Sequence, residues 1–335
     1  MTIERVELSH GSGDGNQRLL SEVVLPNLVP DRCGPLEDSA VVPSPGACLA
    51  FTTDSFVVQP LEFPGGDIGK LAACGTLNDL AVMGARPVLM SVALILEEGL
   101  DAGLLARVLR SLSAVCKASG VAIVCGDTKV VQHGKADGMF VTTAGIGVVP
   151  EGRSLSAANA RPGDAVLVSG PIGCHGIAIM AQRANLGFAS SVASDCAPIQ
   201  GLTGALLEAV PGTKVMRDAT RGGCAAVLNE IALDSGVTIR LRLADIPVGE
   251  GVTGACNYLG LDPLQVANEG TFVAVVPGSD AARALVALKA ASGGSGAAII
   301  GAVEAKGRFP VVAVTEIGGT RPVEMPLGRL LPRIC

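Results

Sequence analysis

The chain ends in a cysteine, Cys335, carried on the segment GTRPVEMPLGRLLPRIC. Pro322, Pro326 and Pro332 remove backbone donors and disfavour helix or central strand, which predicts an extended or mobile arm. An arm of about fifteen residues spans on the order of 50 Å, so its thiol can travel to a reaction centre. Arg333, two residues before the sulfur, would favour the nucleophilic thiolate. A second set of groups is acidic: Asp38 in EDSAVV, Asp54 in TTDSF, Asp79 in TLNDLAVMGA and Asp127 in GDTKVV fall where strands or turns end. Hard cations take oxygen ligands from a few carboxylates, phosphates and waters, so carboxylates gathered round one cleft suit a magnesium–nucleotide site. Taken singly, each also fits a cap or turn position. Asp79 is harder to place that way, because it stands among Leu77, Leu80 and Val82, where an unpaired carboxylate is costly to bury.

The third set lies mostly in the second half. RDATRGG puts Asp218 and Arg221 on a turn opening a helix, and ANEGTF puts Glu269 and Gly270 just before a strand. Lys129 follows Asp127 by two residues. Acids and cations from different segments can act as general base and charge stabiliser, although each pair alone also reads as a surface ion pair. No P-loop is present. The nearest match, in GGDIGKL, is one residue too short, begins after Pro64, and has Leu71 where a Ser or Thr should meet magnesium. Gly65 and Gly66 with Lys70 still form a glycine-rich turn whose N–H groups can face phosphate.

Elements must position these groups. CLAFTTDS reads as a strand delivering Asp54, followed by a helix from Asp67 as N-cap to about Met83, where Gly84 stops it. A second helix is predicted from Asp101 to Ser119, with Leu104, Leu105, Val108, Leu109, Leu112 and Val115 on one stripe. VAIVCGDTK reads as a buried strand ending near Asp127, and FVTTAGIGVV as another strand. The Ser-, Ala- and Pro-containing stretch from Glu151 to Gly163 reads as a linker. Beyond it come strand AVLVSG, a helix near Ile177 to Asn185, a glycine-opened helix in TRGGCAAVLNEIALDSG, strand TFVAVVP, and a helix over Ser279–Ala291.

At 335 residues the chain is long for one core, so two α/β domains are expected. A chain with 49% hydrophobic and 17% charged residues implies large buried surfaces, some of them between subunits. The net charge of −6, the 2% aromatic content and the lack of Trp argue against a nucleic-acid platform. The ten cysteines include no CxxC pair, which argues against zinc knuckles and a disulfide framework; Cys125 reads as a small buried hydrophobe. MTIERVELSH lacks a signal-peptide core, and Ala165–Gln182 is broken by Pro171, His175 and glycines. A reducing cytoplasm, with no membrane partner, is expected.

Taken in order, HGSG, TTDSF, FPGGDIGKLA, NDLAVMGARP, ILEEGL, GDTKVV, SGPIGCHGIAIM, RDATRGG, ANEG and the terminal PRIC closely resemble the HypE family of hydrogenase maturation factors over nearly the whole chain. That family falls within a larger one resembling aminoimidazole ribonucleotide synthetase, selenophosphate synthetase and thiamine monophosphate kinase. The resemblance implies a two-domain α/β (α+β) fold. An ATP-binding domain over 1–152 would dimerise through its strands, a C-terminal α/β sandwich would follow over 153–320, and a flexible tail would occupy 321–335. It also implies a reaction that suits the tail: a HypF-type carbamoyltransferase places a carboxamide on Cys335. ATP-dependent dehydration then makes a thiocyanate, whose cyanide passes to a HypC–HypD complex for the iron of [NiFe]-hydrogenase. By position in the motifs, Asp38, Asp54, Asp79 and Asp127 would hold Mg²⁺ and ATP phosphates. Gly65, Gly66 and Lys70 would also line the nucleotide site. Lys129, Asp218, Arg221 and Glu269 would surround the γ-phosphate and the thiocarboxamide, with Glu269 as base and Lys129 steadying developing negative charge, or a neutral Lys129 as base instead. Two positions depart from the family: Asp14 follows Gly13 where HGSGG is common, and Cys174 precedes His175 where GDHG is common. A small-molecule kinase or ligase of the larger family would keep the aspartates but has no use for a terminal cysteine. A non-catalytic thiol carrier would not hydrolyse ATP.

Overall fold

The computed structural model describes residues 13–19, 21–22, 39–44, 47–184, 192–315, 317–326 and 334–335. Helix α1 (Gly13–Leu19) precedes strands β1 (Ala40–Ser44) and β2 (Ala47–Phe56), a short pair β3 (Glu62–Phe63) and β4 (Gly66–Asp67), and helix α2 (Ile68–Val82). Strand β5 (Arg86–Glu97), helix α3 (Ala102–Ala118), strand β6 (Ala122–Val131) and strand β7 (Met139–Val149) complete the first half. Its sheet runs β1-β2-β7-β5-β6, antiparallel throughout except for the β5–β6 pair.

Helix α2 begins and ends where its sequence dictates. The Asp67 carboxylate accepts from Gly69 N at 2.8 Å and Lys70 N at 2.9 Å, and Gly84 at φ 69° lets the chain turn away. The helix is apolar on nearly every side, because it lies between the sheet and the second half of the chain. Ile68, Leu71 and Leu77 pack with Phe56, Met90 and Val141. Helix α3 is capped by Asp101 and buries Val108, Leu112 and Cys116.

Two expectations are corrected. VAIVCGDTK is a strand, but it forms the edge of its sheet and is exposed along nearly its whole length, and Cys125 is exposed rather than buried. An apolar run satisfies an edge strand awaiting a partner as well as a strand buried on both faces. Strand β5, between β7 and β6, is among the elements that the sequence reading passed over.

The second half contains β8 (Asp164–Val168), α4 (Cys174–Arg183), α5 (Gln200–Ala209), β9 (Val215–Asp218), α6 (Gly223–Ser235), β10 (Thr238–Arg242) and α7 (Glu250–Leu259). It continues with β11 (Phe272–Pro277), α8 (Ala281–Ala290), β12 (Ala298–Glu304), β13 (Val311–Val314) and β14 (Thr320–Pro322). The sheet order is β14-β13-β10-β12-β8-β11-β9. Alternate β8 residues face opposite layers: Val166 and Val168 pack with Ala225 and Leu228 of α6, while Leu167 packs with Leu206 of α5 and Leu288 of α8. Among the described residues no helix is long and apolar enough to cross a membrane.

One buried residue joins the halves. Asn78 on α2 donates to the carbonyls of Ala197 at 3.1 Å and Glu269 at 3.2 Å, and accepts from Ile199 N at 3.0 Å. An amide with its donors and acceptor all used in this way fixes the angle between α2 and the Glu269 turn.

Candidate active site

A small cavity of about 50 Å³ opens at this junction, and Cys335 lines it. Around the sulfur stand Asp54 and Phe56 from β2, Gly75 and Asp79 from α2, Asp218 and Arg221 from the β9–α6 turn, and Glu269. The close approach of α2 requires Gly75: a Cβ there would lie 2.8 Å from the Phe56 ring and 4.0 Å from Asp54 Oδ2. The β9–α6 turn likewise needs Gly223, at φ 60°, where a Cβ would lie 2.5 Å from Leu264 O and 2.6 Å from Val266 O. These contacts hold Asp218 and Arg221 against the cavity.

The charges are unequal. Four carboxylates, those of Asp54, Asp79, Asp218 and Glu269, meet one guanidinium. Asp54 and Asp79 share a hydrogen bond, and Thr52 Oγ1 donates to Asp79 Oδ2 at 2.6 Å. Burial raises the Asp54 pKa, opposed by the Asp79 hydrogen bond and then by Arg221. Glu269 is 3% exposed, and its pKa is driven well above the usual carboxylate range by burial first and then by Asp218, Asp195 and Asp54. Its Oε1 is buried with no hydrogen-bond partner among the described residues. The Glu269 backbone is fastened from below: Glu269 N and Gly270 N donate to Asp195, the latter at 2.9 Å.

The thiol itself departs from expectation. Burial pushes the Cys335 pKa up to about 12, and Arg221 only partly offsets this. The seated sulfur is therefore a neutral thiol rather than the thiolate expected from Arg333, which lies outside the described residues. Arg221 is the guanidinium that faces it, and an ionised Cys335 would be the largest influence raising the Arg221 pKa, ahead of Asp54, Glu269 and Asp79.

The structure brings Cys335, Glu269, Asp218, Arg221, Asp54 and Asp79 together. One copy of the chain does not bring Asp127 and Lys129 to them. Pairing runs Asp54–Thr143–Val92–Gly126 across the sheet, and one residue further Ser55–Thr142–Ala93–Asp127. Asp127 therefore projects from the opposite face to Asp54 and lies about 14 Å away laterally, three strand spacings. There it pairs with Lys129 Nζ at 2.6 Å, with both side chains largely exposed. Lys70 Nζ donates to Gly65 O at 2.7 Å, and neither this residue nor Gly65 or Gly66 lines the cavity. Asp38 lies outside the described residues. Asp14 N donates to Pro326 O at 3.1 Å, and Cys174 is half-buried with its pKa raised to about 11, chiefly by burial. Among the described residues no three His, Cys, Asp or Glu side chains stand in an arrangement that could hold a metal ion without moving, the carboxylates of this cavity included. The sequence reading missed Thr52, Asn78 and Asp195, which support the acids; only the adjacency of Asn78 to Asp79 hinted at them.

Residues 36–149 match the family model AIR synthase related protein, N-terminal domain, and residues 161–314 match its C-terminal domain. The chain is 48% identical over 337 residues to the carbamoyl dehydratase HypE of Rhodobacter capsulatus, covering 99% of this chain and 98% of that one. It is similar to the solved HypE–HypF complex, with TM-score 0.86 and 44% identity over 92% of this chain and 99% of the other. It is also similar to HypE solved in complex with ATP, with TM-score 0.83 and 43% identity over 99% and 100% of the two chains.

Proposed function

The chain belongs to the HypE family of carbamoyl dehydratases, enzymes of hydrogenase maturation, and on that premise we propose that its substrate is a carboxamide carried on its own Cys335. The observation that carries this reading is the seating of Cys335 in the cavity shared by Arg221 and Glu269. A thiocarboxamide has a poor leaving group in its amide oxygen. Bound ATP supplies the phosphoryl group that lets this oxygen leave as phosphate and the nitrogen become a nitrile.

The chain's own residues do the rest. The cavity admits the tethered amide and little water, which protects an activated carbon from hydrolysis. Arg221 stabilises negative charge developing at the oxygen. Glu269 is the base: it lines the cavity, its Oε1 has no hydrogen-bond partner among the described residues, and its raised pKa lets it keep a nitrogen proton once taken. Four carboxylates around one guanidinium would repel a bare triphosphate, whereas a nucleotide carrying Mg²⁺ suits them. Asp54 and Asp79 would hold that ion, with Asp218 nearby, within the one or two protein carboxylates that magnesium ordinarily takes.

Asp127 and Lys129 join the site only from a second copy. The bare sheet face carries the rows Phe51–Ile146–Leu89 and Phe140–Ile95, with Phe51 46% and Ile95 40% exposed, and it continues into the open edge of β6. A homodimer through this face would cover the apolar rows and bring one chain's Lys129 toward its neighbour's site. A HypF-type carbamoyltransferase is the donor and a HypC–HypD complex the acceptor in this reading, and the reaction belongs in the cytoplasm. The reading takes a first domain over 1–152, a second over 153–320 and a tail from 321, whose first two residues still pair with β13 in β14.

ATP turnover tests the reading. Carbamoylated protein should consume ATP with Mg²⁺, and the Cys335→Ala chain should not. Equal turnover by the two chains would point to a small-molecule substrate instead.

A further inference from the structure

We propose that the cavity is the inner part of a receptor for a free C-terminal isoleucine–cysteine pair, latched by His175, and that it accepts such an end from a separate peptide as well as from its own chain. Four contacts carry this, and all fall on the last two residues. His175 Nε2 lies 2.8 Å from the carbonyl of Ile334. The Ile334 side chain is 4% exposed, in the same apolar cluster as Phe63, Ile179 and Ala267. Val57 N–H donates to the backbone oxygen of Cys335 at 3.3 Å, one of the two oxygens of the terminal carboxylate and a stronger acceptor there than the oxygen of an amidated end. The thiol enters the cavity beside Arg221 and Glu269.

The hydrogen-bond chain leaves one arrangement of protons. A carbonyl only accepts, so His175 Nε2 donates and its Nδ1 must accept from Ser194 Oγ at 2.7 Å. Ser194 is able to give its proton because its oxygen already accepts from Cys196 N at 3.0 Å. Burial agrees, pushing the His175 pKa down to about 4 and keeping the ring neutral. Phe63 fixes the ring plane edge-on, with centroids 5.5 Å apart and planes at 84°. Ser194 is in turn clasped by the glycine turn: Ser194 N donates to Pro64 O at 2.8 Å, and a Cβ on Gly65 would lie 2.7 Å from Ser194 O. Gly65, which the sequence suggested for phosphate, thus braces the latch.

The chemistry of this inference rests on the dehydratase reading; the seating does not. For a peptide Leu-Pro-Arg-Ile-Cys carbamoylated on sulfur, the sulfur–carbon bond is kept and the carbon–oxygen bond breaks. The oxygen leaves in phosphate as ATP becomes ADP, and both nitrogen protons are released, one through Glu269.

The test uses the full chain. Alkylation of Cys335 by iodoacetamide at neutral pH, located by mass spectrometry of the C-terminal peptide, should be slow. It should rise about tenfold in His175→Leu, the worth of one buried hydrogen bond, while His175→Gln, which keeps a donor, stays slow. Ile334→Asp, which cannot unfold the core because the tail simply leaves, should also rise. Free Leu-Pro-Arg-Ile-Cys should speed alkylation of the unaltered chain, and its amidated form should do so less. The S-carbamoylated peptide should lose one water with Mg-ATP. Unchanged alkylation in both His175→Leu and Ile334→Asp would overturn the latch. A peptide that neither exposes Cys335 nor loses water, while the chain's own carbamoylated tail does lose water, would overturn acceptance from solution. If alkylation behaves as expected but neither peptide nor tail loses water, the latch stands and the dehydratase reading fails.

Discussion

Glu269 is the residue on which chemistry and stability pull in opposite directions. As a base it must be ionised, so water loss should rise with pH through a midpoint above the ordinary carboxylate range, measurable with carbamoylated protein under saturating Mg-ATP. Glu269→Gln should lower that rate about 10²- to 10⁴-fold. The same raised pKa means that the folded chain binds more protons than the unfolded chain between the usual carboxylate range and the native value. Stability therefore falls as pH rises through that window. Glu269→Gln removes this penalty and should raise Tm at neutral pH while abolishing activity; a lowered Tm would show that the carboxylate is instead structurally satisfied. The motif ANEG made Glu269 visible as a candidate. Its burial was not legible, because that depends on Asn78 and Asp195 arriving from distant segments.

Among the elements, the turns carry the tightest constraints. Gly270→Ala would set a Cβ 1.9 Å from Asp195 O, where backbone must move. The expected cost is about 1–3 kcal/mol in denaturant unfolding, together with loss of activity through the displaced Glu269. Helices α2 and α3 were legible almost to the residue, because Asp67, Asp101, Gly84 and Gly120 are local signals that tertiary packing did not override. Strand β6 was legible as a strand but not as an edge, since an apolar run does not say which neighbours the chain will find. The same limit applied to the acidic sites. Asp54 does stand near the end of β2, but Asp79 lies within α2 and Asp127 midway along β6, and the alternation that sends Asp127 to the face opposite Asp54 depends on strand order.

For the whole molecule, the proposed second copy accounts for the bare sheet face and for Lys129 together. Ile95→Asp should shift sedimentation from dimer to monomer and lower water loss with it. Complementation gives a sharper reading. Carbamoylated chain carrying Lys129→Ala, inactive with itself, should regain water loss when mixed dimers form with Cys335→Ala chain, because the partner contributes an intact Lys129. No recovery would place Lys129 outside the neighbouring site. The central claim is that the chain dehydrates its own terminal cysteine adduct, and intact-protein mass spectrometry of carbamoylated chain before and after Mg-ATP tests it most directly. The account predicts loss of the mass of one water, absent without ATP and absent in Cys335→Ala. An unchanged mass while ATP continues to be consumed would contradict it.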